Sequence, residues 1–476
     1  MLRVPSRGCG LQTLFSAVNT GDCSTVRPAM TPRQPPKPSI NTDLSGSPQT
    51  SKSTQRPRLL NAMTEVAVHE GYAAASIART IAQAGVSRPT FYEYFTDKDD
   101  CFLAALADSH QQLLPEIHQA IQNAPPEQAA QAAIAALIDF ASSQPTRARF
   151  LLTEPMAAGP QALDARDRGI TDIAHIIDEA HQQAPADAAT PDLSSGMLIG
   201  GVYRLLASRL RRAAPDLDRL HQQLLHWIAS YEQPAGKHRW STLAPAPPVP
   251  PSPFLPETPL SPPQPLPPGR PRVTEQEVAE NHRRRILFAA AEVAREKGYT
   301  ASTVEDITHT AHVSRKAFYH LYADKQDAFM AVHELVLQNV VSVTAAAFFA
   351  GATWPERIWE GIRASLQFLQ ANPTIAYFGF VESYAVGPGA VQRIEDSHIG
   401  FTIFLQEGYQ HQPREHDPSR LALEAIAVTQ YELGYRQTRH DPTKLARYIP
   451  HLVHLALTPF LGPAETNKFI DAKMKG

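Results

Sequence analysis

Cysteine is nearly absent from this sequence. Its 476 residues hold three, Cys9, Cys23 and Cys101, with no C-x-x-C pair. That excludes a disulfide framework and a paired-cysteine zinc site, and fits a reducing compartment. Long apolar runs are missing as well. No stretch of about 18 consecutive apolar residues occurs, so no membrane span and no membrane partner are expected. The first residues lack an apolar core of signal-peptide length. Charge of one sign is not in excess, with 44 Lys and Arg against 47 Asp and Glu. Overall balance neither favours nor excludes nucleic acid, because only a docking face must be basic. Phosphate-cradling glycine loops, G-x-S-x-G elbows and H-E-x-x-H pairs are absent. No enzyme is expected: no catalytic residue, no metal and no cofactor.

Proline is plentiful, and it is concentrated. Residues 1–53 are rich in Pro, Ser, Thr and Gln, and bury too little apolar surface to offset ordering entropy. They are expected to be disordered. Residues 234–272 hold fifteen of the 42 prolines. Such composition favours extended polyproline II, a semi-rigid spacer reaching on the order of 100 Å.

The linker separates two halves that repeat each other. A shift of 227 lays Arg58–Leu106 on Arg285–His333 with 20 identities in 49 positions and no gap. Gly71-Tyr72 falls on Gly298-Tyr299, Val86-Ser87-Arg88 on Val313-Ser314-Arg315, and Asp97-Lys98 on Asp324-Lys325. With one inserted residue, Pro145-Thr146 falls on Pro373-Thr374, Glu154 on Glu382, and Gly159-Pro160 on Gly387-Pro388. Whole halves are therefore duplicated, at a period too long for a solenoid.

Each half reads as helical. Leu59, Leu60, Met63, Val66 and Ala67 recur at helical spacing, as do Ile286, Leu287, Ala290, Val293 and Ala294. Gly71 and Gly298 stand where a glycine stop is expected. Ser76, Ser87, Thr303 and Ser314 are N-cap residues. Strand alternation is rare, and no Asn-Gly hairpin turn is present. The expected fold is all-α.

Three helices of about 13, 7 and 7 residues, joined by tight turns, are the helix-turn-helix layout. The last of them fits the major groove and reads base edges. The stretches ASIARTIAQAGVSRPTFYEYFTDKDDCFLAAL and STVEDITHTAHVSRKAFYHLYADKQDAFMAV resemble the TetR family of bacterial regulators. The resemblance covers about fifty residues in each half. It implies a three-helix DNA-binding unit followed by a helical effector and dimerisation domain, twice over. The expected organisation is 54–103, a DNA-binding unit; 104–233, an effector domain; 234–273, the linker; 274–330, a second DNA-binding unit; and 331–476, a second effector domain.

Carried over residue by residue, the resemblance gives Arg88, Pro89, Thr90 and Tyr92 as groove-facing in the first copy. Arg315, Lys316, Ala317, Tyr319 and His320 hold those places in the second. Lys98 and Lys325 resemble phosphate-contacting lysines, and Ser76 and Thr303 are expected backbone contacts. Arg283–Arg285 form a basic cluster, with Arg56 and Arg58 as its thinner counterpart. Two departures stand out. Thr80 replaces an aliphatic residue beside Ile81, which is expected to shift the packing of that helix. His312 replaces the turn glycine kept as Gly85, at an expected cost of about 1 kcal/mol.

The second half carries an aromatic cluster that includes Trp354, Trp359, Tyr377, Phe378, Phe380, Tyr384, Phe401 and Phe404. Glu154, Tyr377, Phe380, Glu382 and Phe404 are the candidate effector-pocket residues. Ser194–Arg212 with Leu217–Tyr231, and Leu421–Thr438 with Lys444–Phe460, resemble the family's dimerisation helices. The expected partners are double-stranded DNA, an unidentified small-molecule effector, and self-association through those helices, as an intramolecular pseudo-dimer or a homodimer. The expected function is a sequence-specific regulator, a ligand-released repressor, cytoplasmic and nucleoid-associated. The alternative is a ligand- or protein-binding module in which one or both helix-turn-helix units no longer bind DNA.

Overall fold

Helix starts and stops follow the local chemistry read above. The computed structural model describes residues 48–212, 215–266, 274–411 and 418–475. The disordered segment expected over residues 1–53 lies outside these up to residue 47; residues 48–53 open the first helix. The first half contains α1 (Pro48–Glu70), α2 (Ile77–Ala84), α3 (Arg88–Tyr94), α4 (Lys98–Gln122), α5 (Ala129–Ser143), α6 (Pro145–Thr153), α7 (Pro160–His181), α8 (Ser195–Leu210) and α9 (Leu217–Ala229). The second contains α10 (Glu275–Ala301), α11 (Val304–Ala311), α12 (Arg315–Leu321), α13 (Lys325–Phe348), α14 (Trp354–Ala371), α15 (Pro373–Phe380), α16 (Pro388–Phe401), α17 (Leu421–His440), α18 (Ile449–Leu461) and α19 (Pro463–Lys475). The fold is all-α. Its strands among the described residues are the short pair Ala189–Pro191 and Glu232–Pro234, antiparallel.

The caps work alike in both halves. Ser87 Oγ accepts from Thr90 N, and Ser314 Oγ from Ala317 N. Asp97 and Asp324 cap α4 and α13. Gly298, at φ 78°, breaks the long helix α10 where the glycine stop is read. Helix α13 alone among the described helices is long and apolar enough to cross a membrane. Its Val332, Val336, Ala347 and Phe348 are instead buried against neighbouring helices.

From residue 55 on, the described residues pack as one unit. The register of the repeat continues past Pro160 and Pro388: a shift of 228 lays Asp167 on Glu395, Tyr203-Arg204-Leu205 on Tyr431-Glu432-Leu433, and Arg211 on Arg439. Helix α8 crosses its counterpart α17, with α9 packed on α17. Across this seam Arg209 bridges to Glu424, Arg211 to Glu395, and Arg439 to Asp164 and Asp167. Tyr231 of the first half donates to Leu455 O of α18 at 2.8 Å.

The linker departs from a free spacer. A proline-rich segment forms no backbone ladder, and here side-chain amides partner its free carbonyl and N–H groups. Gln367 Nε2 of α14 donates to Val249 O at 3.1 Å and Pro250 O at 2.9 Å, while its Oε1 accepts from Ser252 N. Asn372 Oδ1 accepts from Leu260 N at 2.7 Å. Trp240 is buried and stacks on His454 at 5.4 Å. Up to residue 266 the segment thus runs as a strap over the second half.

Candidate nucleic-acid interface and ligand cavity

The two reading helices have the same construction. Phe91 and Phe318 are fully buried and anchor α3 and α12. One position further, Tyr92 and Tyr319 are 49% and 51% exposed, among the few large apolar side chains that face solvent. Arg88, Pro89, Arg315, Lys316 and His320 are exposed beside them; Thr90 and Ala317 are half-buried. The Arg88 guanidinium lies 5.9 Å from the centre of the Tyr92 ring. Thr90 Oγ1 is engaged by Ser87 Oγ at 2.8 Å.

The turn before each reading helix is left-handed. Gly85 has φ 61° and ψ 41°. His312 has φ 48° and ψ 50°, the one non-glycine with positive φ among the described residues. Its carbonyl is held by Arg285 Nη2 at 3.4 Å, as Gly85 O is held by Arg58 Nη2 at 3.3 Å. Arg58 and Arg285 therefore both brace the turn, Arg285 from a buried position and Arg58 from an exposed one. Relief of the Cβ strain is expected to make His312→Gly more stable by roughly 0.5–1 kcal/mol. Urea denaturation would show this as a higher midpoint; a lower one would mean that the imidazole itself supports the turn.

Other expectations change. Thr80 occupies the same buried position as Ile307, so the helix is not shifted. Its hydroxyl donates to Ser76 O at 3.0 Å, which satisfies the polar atom. Ser76 and Thr303 act as caps, Thr303 in a reciprocal box with Asp306. Lys98 and Lys325 turn inward. Lys98 Nζ donates to Tyr72 O at 3.2 Å and lies over the Tyr72 ring. Lys325 Nζ meets Tyr299 O, Thr300 O and Ser302 O at 2.8, 3.5 and 3.0 Å. An ammonium has three donors, so Lys325 has none left for phosphate in this arrangement.

Glu154 and Glu382 are engaged by backbone N–H groups and do not line the cavity inside the second half. Glu154 Oε2 accepts from Tyr72 N at 3.2 Å, and Glu382 Oε2 from Tyr299 N at 2.8 Å. Each joins the residue after the glycine stop to the helical body, at matching places in both halves. Burial pushes both carboxyls above the usual range.

A cavity of ≈ 180 Å³ lies inside the second half, among α13, α14, α15, α16 and α17. Phe380 and Phe404 line it with Phe348 and Phe401. Tyr377 does not; it packs beside Tyr384 and Tyr435. Trp354 packs on Phe460, and Phe378 on Phe329. The repeat explains the space. Thr344, Ser365, Gly379 and His398 line it where the first half has Ile117, Leu137, Leu151 and Ile170, all buried core. Helix α16 is also shorter than α7, with 14 residues against 22, and gives way to 3-10 turns. Burial lowers His398 to about 3 and His333 to about 4, so both imidazoles facing the cavity are neutral near pH 7.

Sequence reasoning missed one further cluster. Glu432 is fully buried between Arg166 and Arg204, which are 2% and 6% exposed at their side chains. The signal was present as a charge inside an apolar helical run, GGVYRLLAS and VTQYELGY, at corresponding places.

Residues 59–105 and 286–332 each match the family described as "Bacterial regulatory proteins, tetR family". The HTH-type transcriptional activator FasR of Mycolicibacterium smegmatis is 31% identical over 111 residues, 23% of this chain. The match spans about half that relative's length, 51%. A tetR-family regulatory protein from Rhodococcus RHA1 aligns at 25% identity over 37% of this chain and 96% of its own, with a TM-score of 0.31. The regulator FadR of Bacillus subtilis, solved with stearoyl-CoA, aligns at 21% identity over 37% and 97%, with a TM-score of 0.33. Two matched stretches in one register, one in each of the duplicated helical halves, show that this chain carries the tetR-family DNA-binding unit twice in tandem.

Proposed function

We propose that the chain is a sequence-specific DNA-binding transcriptional regulator. Its two halves pair with each other, so that α3 and α12 read the two half-sites of one operator. The reading rests on one observation above the rest: each half presents the same exposed Arg and Tyr on a short helix anchored by a buried Phe. A half-exposed aromatic beside a guanidinium suits a groove wall and its phosphates.

The reading helices differ: Arg88-Pro89-Thr90 with Glu93 in one, Arg315-Lys316-Ala317 with His320 in the other. Unlike side chains prefer unlike base edges, so the operator is proposed to be asymmetric. The basic, lysine-bearing α12 is proposed as the tighter head. The second-half cavity is the proposed effector site, for an apolar molecule with a neutral polar end. Ligand would release DNA by favouring a spacing of the heads that no longer matches successive grooves.

Selection of bound duplexes from a random library tests the asymmetry; a strictly palindromic consensus would exclude it. Arg88→Glu and Arg315→Glu, made separately, are each expected to weaken binding to the selected site by roughly 10- to 100-fold and to flatten its salt dependence. If neither does, α3 and α12 do not contact DNA.

A further inference from the structure

Where α8 crosses α17, corresponding positions of the two halves touch each other. A Cβ on Gly201 would lie 2.1 Å from Thr429 Oγ1. Arg204 Nε donates to Glu432 Oε2. Both pairs are separated by the same 228 residues that relate the halves. Corresponding positions meet in this way only beside a local two-fold axis, so in a pair of identical halves each would face its own copy.

The residues beside the axis are unlike. Arg204 stands opposite Glu432, and Gly201 opposite Thr429. Arg166 adds a second guanidinium, with Nη1 and Nη2 each 3.0 Å from a Glu432 oxygen. Its counterpart in the second half is Ile394. A close approach is built in: a Cβ on Gly200 would lie 2.6 Å from Glu432 Cγ. Two first halves paired together would bury four guanidinia with no buried carboxylate between them, only the partly exposed Asp167 beside each Arg166. Two second halves would bury two carboxylates with neither Arg166 nor Arg204 to meet them. Two of the outer ion pairs lack this preference. Arg211 with Glu395 and Arg439 with Asp167 are counterparts of each other, so they would form in any pairing.

We propose that Arg166, Arg204 and Glu432, with Gly201 and Thr429, form a heterotypic lock. It admits a first half against a second half and rejects like against like, so the partner surface for α8 is the α17 face alone. Selectivity of this kind comes from the unpaired buried charge in the wrong complex. The proposal deepens the pairing of halves stated above and rests on it.

Two variants of the full chain test the lock by exchange. Glu432→Arg leaves cations on both sides of the axis. Arg166→Ile with Arg204→Glu leaves carboxylates on both sides. Expressed separately, each is expected to lose the single cooperative melting transition of the parent. Expressed together with different tags, they are expected to co-purify one to one. That complex regains one native trio and one reversed Glu–Arg pair. Either variant melting like the parent when alone would overturn the lock. So would co-expression that gives no one-to-one complex, and because capture is read after co-expression, insolubility of the separate chains does not mask the answer. The parent's mass by light scattering addresses the other reading separately. Two chains per particle would overturn pairing within the chain and leave the lock standing.

Discussion

Glu432→Leu is expected to destabilise the protein by about 3–5 kcal/mol, because it strands two buried guanidinia. Arg166 and Arg204 each lose a charge-assisted partner, and neither reaches water. Removing the whole trio should behave differently. Arg166→Ile, Arg204→Leu and Glu432→Leu together are expected to be near neutral, or stabilising by a few kcal/mol, because desolvating three charges costs about as much as their attraction returns. Urea denaturation of the single and the triple variant checks both. If the triple variant is as unstable as the single one, the network supports the seam directly instead of selecting partners. The pH dependence follows from the same geometry. Burial alone would raise the Glu432 carboxyl, but Arg166 and Arg204 hold it below its ordinary value of 4.5. A depressed carboxylate stabilises fully above that ordinary value, and the contribution is lost as pH falls through the native one. Acid unfolding should therefore shift to higher pH in a chain where the pairing is weakened.

The reading heads were legible in the sequence because every step in them is local. Ser87 and Ser314 cap the helices they precede, and Phe91 and Phe318 fall on the buried face four residues on. His312 was readable as a strained turn because Gly85 marks the same place in the other copy. What failed were roles that depend on distant partners. Lys325 looks like a free charge at a helix start, yet its acceptors lie more than twenty residues back in the chain. Glu382 looks like a pocket carboxylate, yet it accepts from a backbone N–H 83 residues away. The proline segment showed its stiffness through composition but not its contact with α14, which depends on the amide of Gln367. Arg204 and Glu432 show the limit most clearly. Each occupies an apolar run where a charge is costly, and only their meeting 228 residues apart explains both.

The same comparison of copies turns the cavity into a prediction. The first half fills the equivalent space with Ile117 and Leu137, both buried, where the second has Thr344 and Ser365. Thr344→Ile with Ser365→Leu therefore places in the second bundle the side chains its sister already accommodates. A Cβ-sized step is tolerable at this site: a methyl on neighbouring Gly361 would sit 3.5 Å from Thr344 Cγ2, an ordinary contact. Filling part of the ≈ 180 Å³ is expected to raise stability by about 1–2 kcal/mol. It should also weaken binding of the neutral apolar fluorophore Nile red at least about tenfold, since the added methyl groups occupy the volume the dye needs. Operator affinity without ligand should stay within about twofold, because neither residue belongs to α12. The pairing of outcomes is what decides. Lost dye binding with intact DNA binding places the apolar binding site in the second-half cavity. Unchanged dye binding would put the apolar site elsewhere, and a joint loss of both would mean that the cavity helps to hold the reading head in place.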